Sequence, residues 1–202
     1  MPDEPKTWLV AGLGNPGPEY EFTPHNLGFL ALDRLAERNG GIRIVRPEAQ
    51  ALVGLGSVAG SPAVLVKPQT FMNRSGPSVR DLLARYELQA ENLLLVYDEL
   101  AIAWNSLRVR PKGSSAGHNG VQSVIDSLGS NEFARVRVGI RPEHELSGNA
   151  DFVLAPMKRA QRLELDSLLD TVCQAVESII AEGVEKSMAK YNRRAQGLKE
   201  EE

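Results

Sequence analysis

A glycine-rich turn directly after a short apolar run constrains this chain more than any other feature of its sequence. The run covers residues 8–11, and the turn contains Gly12, Gly14, Asn15, Pro16 and Gly17. This order is typical of a buried strand that ends in a loop carrying polar groups. The glycine spacing matches a dinucleotide-binding fingerprint, but two prolines interrupt the region where its helix would begin. We therefore interpret the loop as a support for Asn15 and His25.

Strand and helix patterns alternate along the rest of the chain. Further strands are predicted over residues 51–58 and 63–66, joined by a turn at 60–62, and over 93–97, 108–110 and 135–140. The strand at 135–140 alternates charged and apolar residues, so we expect it to be half-exposed. Helices are predicted over residues 29–38, 77–86, 121–128 and 165–180. Gly183 ends the last of these, and a short basic helix is predicted to follow it to about Arg194. Residues 147–156 are predicted to be a loop.

Such alternation predicts an α/β fold. We expect a single-domain, three-layer sandwich with a twisted mixed, partly parallel sheet flanked by helices. A chain of 202 residues is long enough to bury one full core. The domain is expected to cover residues 1–196, followed by a disordered tail at 197–202.

Composition limits the chemistry that this chain can perform. The single cysteine, Cys173, excludes an internal disulfide and is expected to be buried on a helix, and three histidines leave no thiolate metal site. The net charge of −3 argues against broad coating of nucleic acid but permits a local basic patch. Because no secretory signal or long apolar segment is recognisable, we expect a cytoplasmic protein.

Four separate loops and one further turn carry polar residues that the fold alone does not require. They are Asn15, His25, Asn73, Asp98 and Asn119. If neighbouring strand ends bring them together, the set contains one titratable base, one carboxylate and three amides. Serines 75, 114 and 115 lack the context of a nucleophile elbow.

This inventory indicates hydrolysis by an activated water molecule. A histidine can take the proton of the water, and a carboxylate can hold its tautomer and stabilise the imidazolium. Amide groups can donate to the oxygen that becomes negative. The structural alternative stays open from the pattern alone: His25 and Asp98 as caps, Asn15 and Asn119 as turn residues.

Five motifs, in order and with matching spacing, resemble those of bacterial-type peptidyl-tRNA hydrolases. The matching segments are residues 12–20, 25–28, 67–76, 98–100 and 117–120. Three positions depart from the family pattern: Pro24 replaces a basic residue, Ala116 replaces a glycine, and residues 101–105 replace a turn that contains proline and glycine.

The resemblance implies cleavage of the ester between a peptide and the 3'-terminal ribose of tRNA, by a monomer without cofactor or metal. It implies that His25 is the proton acceptor, that Asp98 stabilises its basic form, and that Asn15 distinguishes blocked from unblocked aminoacyl-tRNA. The substrate-contacting positions that it implies are Tyr20, Phe71, Met72, Asn73, Gly117 and Asn119.

Basic residues on two predicted strands and the next loop form a candidate RNA site. The set comprises Arg108, Arg110, Lys112, Arg135, Arg137 and Arg141, and Lys186, Lys190, Arg193 and Arg194 form a second group. Alternate residues of a strand share a face, so Arg108 with Arg110, and Arg135 with Arg137, could bind phosphates. Two rival functions are a non-catalytic RNA-binding relative and a nucleotide-binding module that uses the glycine turn.

Overall fold

One seven-stranded sheet organises the computed structural model, which describes residues 5–143 and 148–194. The strands are β1 (Trp8–Gly12), β2 (Arg46–Glu48), β3 (Ala51–Val58), β4 (Ser61–Pro68), β5 (Leu93–Ala103), β6 (Leu107–Arg110) and β7 (Ala134–Arg141). Their order across the sheet is β2-β3-β4-β1-β5-β7-β6. The four central strands β4, β1, β5 and β7 run parallel, whereas β2, β3 and β6 pair antiparallel at the two sides.

Helices cover both faces of this sheet. They are α1 (Leu27–Arg38), α2 (Ser75–Arg85), α3 (Asn119–Leu128), α4 (Asn149–Leu154), α5 (Arg159–Glu182) and α6 (Val184–Arg194). Residues of α1, α5 and α6 pack on one face, and those of α2 and α3 on the other. The predicted three-layer α/β sandwich is therefore confirmed. No helix in residues 5–143 and 148–194 is long and apolar enough to cross a membrane.

Two glycines bring β1 and α1 into backbone contact. A Cβ atom on Gly12 would collide with the carbonyl oxygen of Gly28, and a Cβ on Gly28 would collide with the backbone of Leu13. Only glycine permits such a close approach. Helix α1 begins only at Leu27, after two 3₁₀ helices, so the glycine turn does not lead directly into an α-helix as the dinucleotide-binding fingerprint requires. The turn therefore serves chain packing, and the nucleotide-binding alternative has no phosphate cradle.

Four sequence-based expectations need correction. The hairpin turn lies at Ala59 and Gly60, both with positive φ, and Pro62 is already inside β4. The short edge strand β2 was not foreseen. Residues 149–154 of the predicted loop form α4, while Ser147 lies outside the described residues. Strand β7 is largely buried because β5 and β6 flank it, α5 packs on its apolar side, and the loop that contains Gly113 and Ser114 covers Arg135 on the other side.

Cys173 is buried in α5, as predicted. Its Sγ lies 3.6 Å from the carbonyl oxygen of Ala31 in α1. Burial raises the pKa of the thiol to about 12, which is expected for a thiolate that would lose its hydration in an apolar core. The predicted tail at 197–202 lies outside the described residues.

Candidate active site

The parallel strands place the predicted polar residues at one edge of the sheet. Parallel strands end at the same side, and α/β proteins bind ligands at that side. Asn15 follows β1 and Asn73 follows β4, whereas Asp98 lies at the midpoint of β5, which continues past the strand end expected from the sequence to Ala103. A groove of about 910 Å³ opens here, lined by His25, Asp98, Gly117, His118 and Asn119 and extending to Arg141 and α4.

A short 3₁₀ helix, Pro24–Asn26, fixes the position of His25. Pro24 occupies its first position, where a proline ring supplies the required φ and no N–H is missed. The Asn26 side chain accepts from the backbone N–H of Asn15 at 2.8 Å and donates to the Asn15 carbonyl at 2.9 Å. The first loop and the segment carrying His25 are thereby joined. Sequence reasoning did not identify this role of Asn26.

His25 and Asp98 form a direct pair, as the predicted catalytic roles require. Nδ1 of His25 lies 2.8 Å from Oδ2 and 3.0 Å from Oδ1 of Asp98. A carboxylate only accepts hydrogen bonds, so Nδ1 of a neutral His25 carries the proton and Nε2 keeps its lone pair. Nε2 has no hydrogen-bond partner among the described residues. This is the arrangement of a base that is oriented by a carboxylate.

A second histidine, His118, contacts the same carboxylate. Its Nε2 lies 3.0 Å from Oδ1 of Asp98, and its ring centroid lies 4.9 Å from that of His25. The sequence motif at 117–120 contained His118, but the amide of Asn119 was given the functional role. The sequence did offer one indication of a role for His118: it lies directly before a predicted helix and next to Asn119, an implied substrate-contacting residue.

The two histidines control the charge of Asp98, whose side chain is only 2% exposed. Burial favours the neutral acid, but the proximity of His118 and the hydrogen bonds from both histidines outweigh it. Together they hold the pKa of the Asp98 carboxyl well below its usual range. The group is therefore a carboxylate at neutral pH.

His25, Asp98 and His118 also make up a donor set that could in principle ligate a metal ion. Nδ1 of His118, however, accepts from the backbone N–H groups of Gly120 at 3.2 Å and Val121 at 3.3 Å. A neutral imidazole with an occupied Nδ1 lone pair carries its proton on Nε2. Nε2 of His118 is thus a donor to Asp98, and this chemistry favours proton transfer over metal ligation.

The side-chain oxygen of Asn15 has a structural partner. Oδ1 accepts from the backbone N–H of Met72 at 2.9 Å, whereas the Nδ2 amino group has no hydrogen-bond partner in the part of the chain that the structure describes. Asn15 is buried, and so is Met72 at 6% exposure. A Cβ on Gly120 would collide with Sδ of Met72, so Met72 packs beneath the start of α3. Its backbone therefore fixes the orientation of the Asn15 amide.

Other implied substrate residues lie around this centre. Phe71 is 63% exposed and Asn73 is exposed, at the 3₁₀ helix Met72–Arg74. Tyr20 is half-buried at the end of the 3₁₀ helix Pro18–Tyr20, while Gly117 and Asn119 line the groove. Phe71 belongs to neither apolar core, so its ring is accessible at the surface, although a single exposed apolar residue does not by itself mark a binding site.

The arginines of β6 and β7 share one face of the sheet but differ in environment. In the antiparallel register, Arg108 lies opposite Arg137 and Arg110 opposite Arg135. The prediction that Arg135 could bind phosphate is wrong, because its guanidinium is 1% exposed and donates to the carbonyls of residues 113, 114 and 131. It anchors the loop that leads to α3.

Arg137 forms an ion pair with Glu99. Its Nε and Nη2 lie 3.1 and 2.8 Å from Oε2 of Glu99, whose side chain is 5% exposed. By contrast, Arg108 and Arg110 have no carboxylate within 4.0 Å in the described part of the chain. Burial and the neighbouring charges of Arg110 and Arg137 lower the pKa of Arg108, which indicates concentrated positive charge.

In the second basic group, Lys190 lies 3.9 Å from Glu182 of α5, and the side chains of Arg193 and Arg194 are outside the described residues.

Comparison with known proteins decides the family. A family model described as Peptidyl-tRNA hydrolase matches residues 9–200. The chain belongs to this family. It is 52% identical over 195 residues to the peptidyl-tRNA hydrolase of Solibacter usitatus, covering 96% of this chain and 99% of that protein. It is 46% identical to the peptidyl-tRNA hydrolase of Koribacter versatilis, with 92% of both chains covered.

A solved structure agrees with this assignment. The crystal structure of the peptidyl-tRNA hydrolase from Acinetobacter baumannii matches with a TM-score of 0.85 at 29% identity, covering 95% of this chain and 97% of that one. The resemblance drawn from the five motifs is thus confirmed. The structure shows the local conformation at two of the departures from the family pattern. Pro24 begins the 3₁₀ helix that carries His25, and Ala116 adopts a left-handed φ of 49°.

Proposed function

We propose that this protein hydrolyses the ester that joins a peptide to the 3'-terminal ribose of tRNA, which recycles the tRNA. The proposal rests on family membership and on one observation: His25 is oriented by the buried carboxylate of Asp98 within a groove at the carboxyl edge of the sheet. We further propose that the protein acts as a cytoplasmic monomer without cofactor or metal.

The reaction begins at Nε2 of His25. This atom takes a proton from a water molecule, and the oxygen of the water attacks the ester carbonyl carbon. The negative tetrahedral intermediate collapses, the bond to the ribose oxygen breaks, and the imidazolium returns the proton to that oxygen. Free tRNA and a peptide with a terminal carboxylic acid result, and the acid then loses its proton to solvent. Asp98 stabilises the imidazolium throughout, without taking the proton.

We assign water as the nucleophile because no serine in residues 5–143 and 148–194 is placed for attack. In the described residues, no serine hydroxyl bonds to His25. Ser75 is buried and donates to the Met72 carbonyl at 2.9 Å, and Ser115 donates to Gln122 at 2.7 Å. A catalytic hydroxyl needs a base within hydrogen-bond reach. This supports direct attack of water on the ester over a covalent acyl-enzyme intermediate.

Amides around the groove suit recognition of an acylated substrate. Peptidyl-tRNA carries a neutral amide where aminoacyl-tRNA carries a cationic amino group. We assign the Nδ2 group of Asn15 and the amides of Asn73 and Asn119 to the peptide backbone near the ester. A polar group that loses its partner in a desolvated site is costly, so these amides select against the free amino group.

The RNA end is assigned to Arg108 and Arg110 on the edge strand β6. They share a face, lack acidic partners in the described residues, and concentrate positive charge next to Arg137. Phosphate contacts from arginine position a nucleic acid without reading its sequence. The guanidinium of Arg137 is already paired with Glu99, so it must exchange that partner to bind a phosphate. We therefore expect Arg137 to contribute less to tRNA affinity than Arg108 and Arg110.

His25→Ala tests the catalytic proposal. We expect turnover of N-acetyl-aminoacyl-tRNA to fall by about 10²- to 10⁴-fold, the usual contribution of a positioned base, while binding of tRNA survives. Gel shift with uncharged tRNA measures the binding, and release of acid-soluble amino acid measures turnover. Wild-type turnover in the variant would refute the mechanism.

Arg108→Ala and Arg110→Ala test the RNA site. Each variant should raise KM for tRNA substrates and leave a short N-acyl-aminoacyl-adenosine ester unaffected. Each should also reduce the slope of log binding constant against log salt by about one. Arg80→Ala is the matched control, since Arg80 is exposed on α2 and paired with Asp81. Equal effects on both substrates would remove the phosphate role.

A further inference from the structure

His118 satisfies two structural elements at once. It stands directly before α3, and its Nδ1 accepts from the backbone N–H groups of Gly120 and Val121, at 3.2 and 3.3 Å. On the other side of the ring, Nε2 lies 3.0 Å from Oδ1 of Asp98. The imidazole therefore bridges a helix N-terminus and the carboxylate that orients His25.

We propose that His118 is a positioning residue for the hydrolysis: the α3 N-terminus locks its tautomer, and its Nε2–H donor holds Asp98 in the orientation that His25 needs. The inference rests on the proposed function and adds to it a residue that does not itself touch the reacting atoms.

The tautomer lock follows from the direction of the backbone groups. An N–H donor can bond to an imidazole nitrogen only where that nitrogen offers a lone pair. Two such donors point at Nδ1, so the single proton of the neutral ring resides on Nε2. The capped helix thus fixes a donor, and not an acceptor, opposite Asp98. The opposite tautomer would leave two donors facing each other at Nδ1.

The donor matters because Asp98 has little else to hold it. Its side chain is 2% exposed, so water does not supply a replacement partner. His25 reaches both oxygens, at 3.0 and 2.8 Å, and His118 reaches Oδ1 from a second direction. Two donors from two directions define the plane of a carboxylate, whereas one donor permits rotation. The low pKa of Asp98 agrees with this double hydrogen bonding.

The surroundings hold the His118 ring in place. The edge of Tyr97, buried in β5, packs against it with centroids 5.1 Å apart. The preceding loop is anchored by the buried guanidinium of Arg135, which donates to the carbonyls of Gly113 and Ser114. Packed side chains in a core occupy single rotamers, so the donor atom is placed before substrate arrives.

His118→Asn separates positioning from capping. Asparagine is among the best N-cap residues, so it preserves the start of α3, but its side chain is too short to bridge to Asp98 as well. We expect kcat for N-acetyl-aminoacyl-tRNA to fall by about 10- to 100-fold, the value of one hydrogen bond to a charged group, with KM within about twofold. Wild-type kcat in this variant would overturn the proposal.

Asp126→Gly is the matched control for a weakened α3. Asp126 is exposed in the same helix and accepts from Gln122 at 2.8 Å, away from both Asp98 and the loop before His118. Glycine destabilises the helix without touching the Asp98 carboxylate. We expect kcat to stay at the wild-type level. A loss as large as that in His118→Asn would overturn the proposal, because it would assign the effect to helix stability.

Imidazole ¹⁵N spectra give a readout that is independent of turnover. In the wild type, His118 should show the Nε2–H tautomer and His25 the Nδ1–H tautomer; in His118→Asn, the His25 signals should shift toward a tautomer mixture. Unchanged His25 signals would overturn the proposal. If the wild type failed to hydrolyse any N-acylated tRNA, the proposed function would fail, and these spectra would still decide the tautomer lock.

Discussion

Nδ1 of His25 lies 2.8 Å from Oδ2 of Asp98, although 73 residues separate the two in the chain. The pair forms because β5 lies next to β1 in the sheet, and the turn after β1 returns the chain to the end of β5. Since Asp98 is buried and ionised, the imidazole is held in one tautomer with its other nitrogen toward the groove. In the proposed mechanism, proton transfer to His25 depends on that hydrogen bond.

Asp98→Asn tests this dependence. An amide offers one acceptor atom, whereas His25 and His118 both donate to the native carboxylate. We expect kcat to fall by about 10³- to 10⁴-fold, close to the known effect of the same substitution in serine-protease triads. Single-turnover kinetics with N-acetyl-aminoacyl-tRNA would measure it. Asp81→Asn, at an exposed acid on α2, serves as the control and should retain full activity.

Acid stability should also depend on Asp98. Its pKa is lower in the folded protein than in the unfolded chain, where it is about 3.9. The ionised group therefore stabilises the fold above about pH 4, and this contribution is lost as the pH falls below that value. Urea unfolding from pH 6 to pH 3 should show the wild type losing more stability than Asp98→Asn. Parallel curves for the two proteins would contradict the shift.

The Glu99–Arg137 pair permits a double-mutant cycle. Arg137→Met leaves the Glu99 carboxylate, 5% exposed, without its cation. We expect a loss on the order of 2–3 kcal/mol, below the 3–5 kcal/mol of a fully buried pair because Arg137 is 22% exposed. The double variant Arg137→Met/Glu99→Gln should recover most of it, as measured by urea unfolding. Additive losses would mean that the two groups are not coupled.

Periodicity in the sequence was sufficient for the main elements and for the residues at strand ends. Strand β1, helix α1 and helix α5 have strong apolar patterns, and the rule that ligands bind at carboxyl ends brought Asn15, His25 and Asp98 together. Helix α4 was missed because six residues give no helical period to detect. Strand β2 was missed because its three residues pair only at the edge of the sheet.

Burial and long-range pairing were beyond the reach of local patterns. Alternation correctly placed Arg135 and Arg137 on one face of β7, but it does not tell whether that face is covered. Arg135 turned out to be buried beneath the 113–118 loop. The role of His118 was missed for a similar reason. Its contact with Asp98 depends on how α3 packs against the sheet, which no residue near 118 encodes.

Ala116→Gly should stabilise the groove edge or leave it unchanged. Ala116 has a φ of 49°, in the left-handed region, and is followed by Gly117 at 84°. The left-handed conformation costs alanine about 1–2 kcal/mol. Glycine adopts it without strain but loses about 0.5–1 kcal/mol more conformational entropy on folding. The net gain should be about 0–1.5 kcal/mol by urea unfolding, with kcat unchanged. Ala84→Gly, at an exposed position in helix α2, is the matched control and should lose about 1 kcal/mol. If Ala116→Gly lost as much as Ala84→Gly, the left-handed conformation at 116 would be wrong.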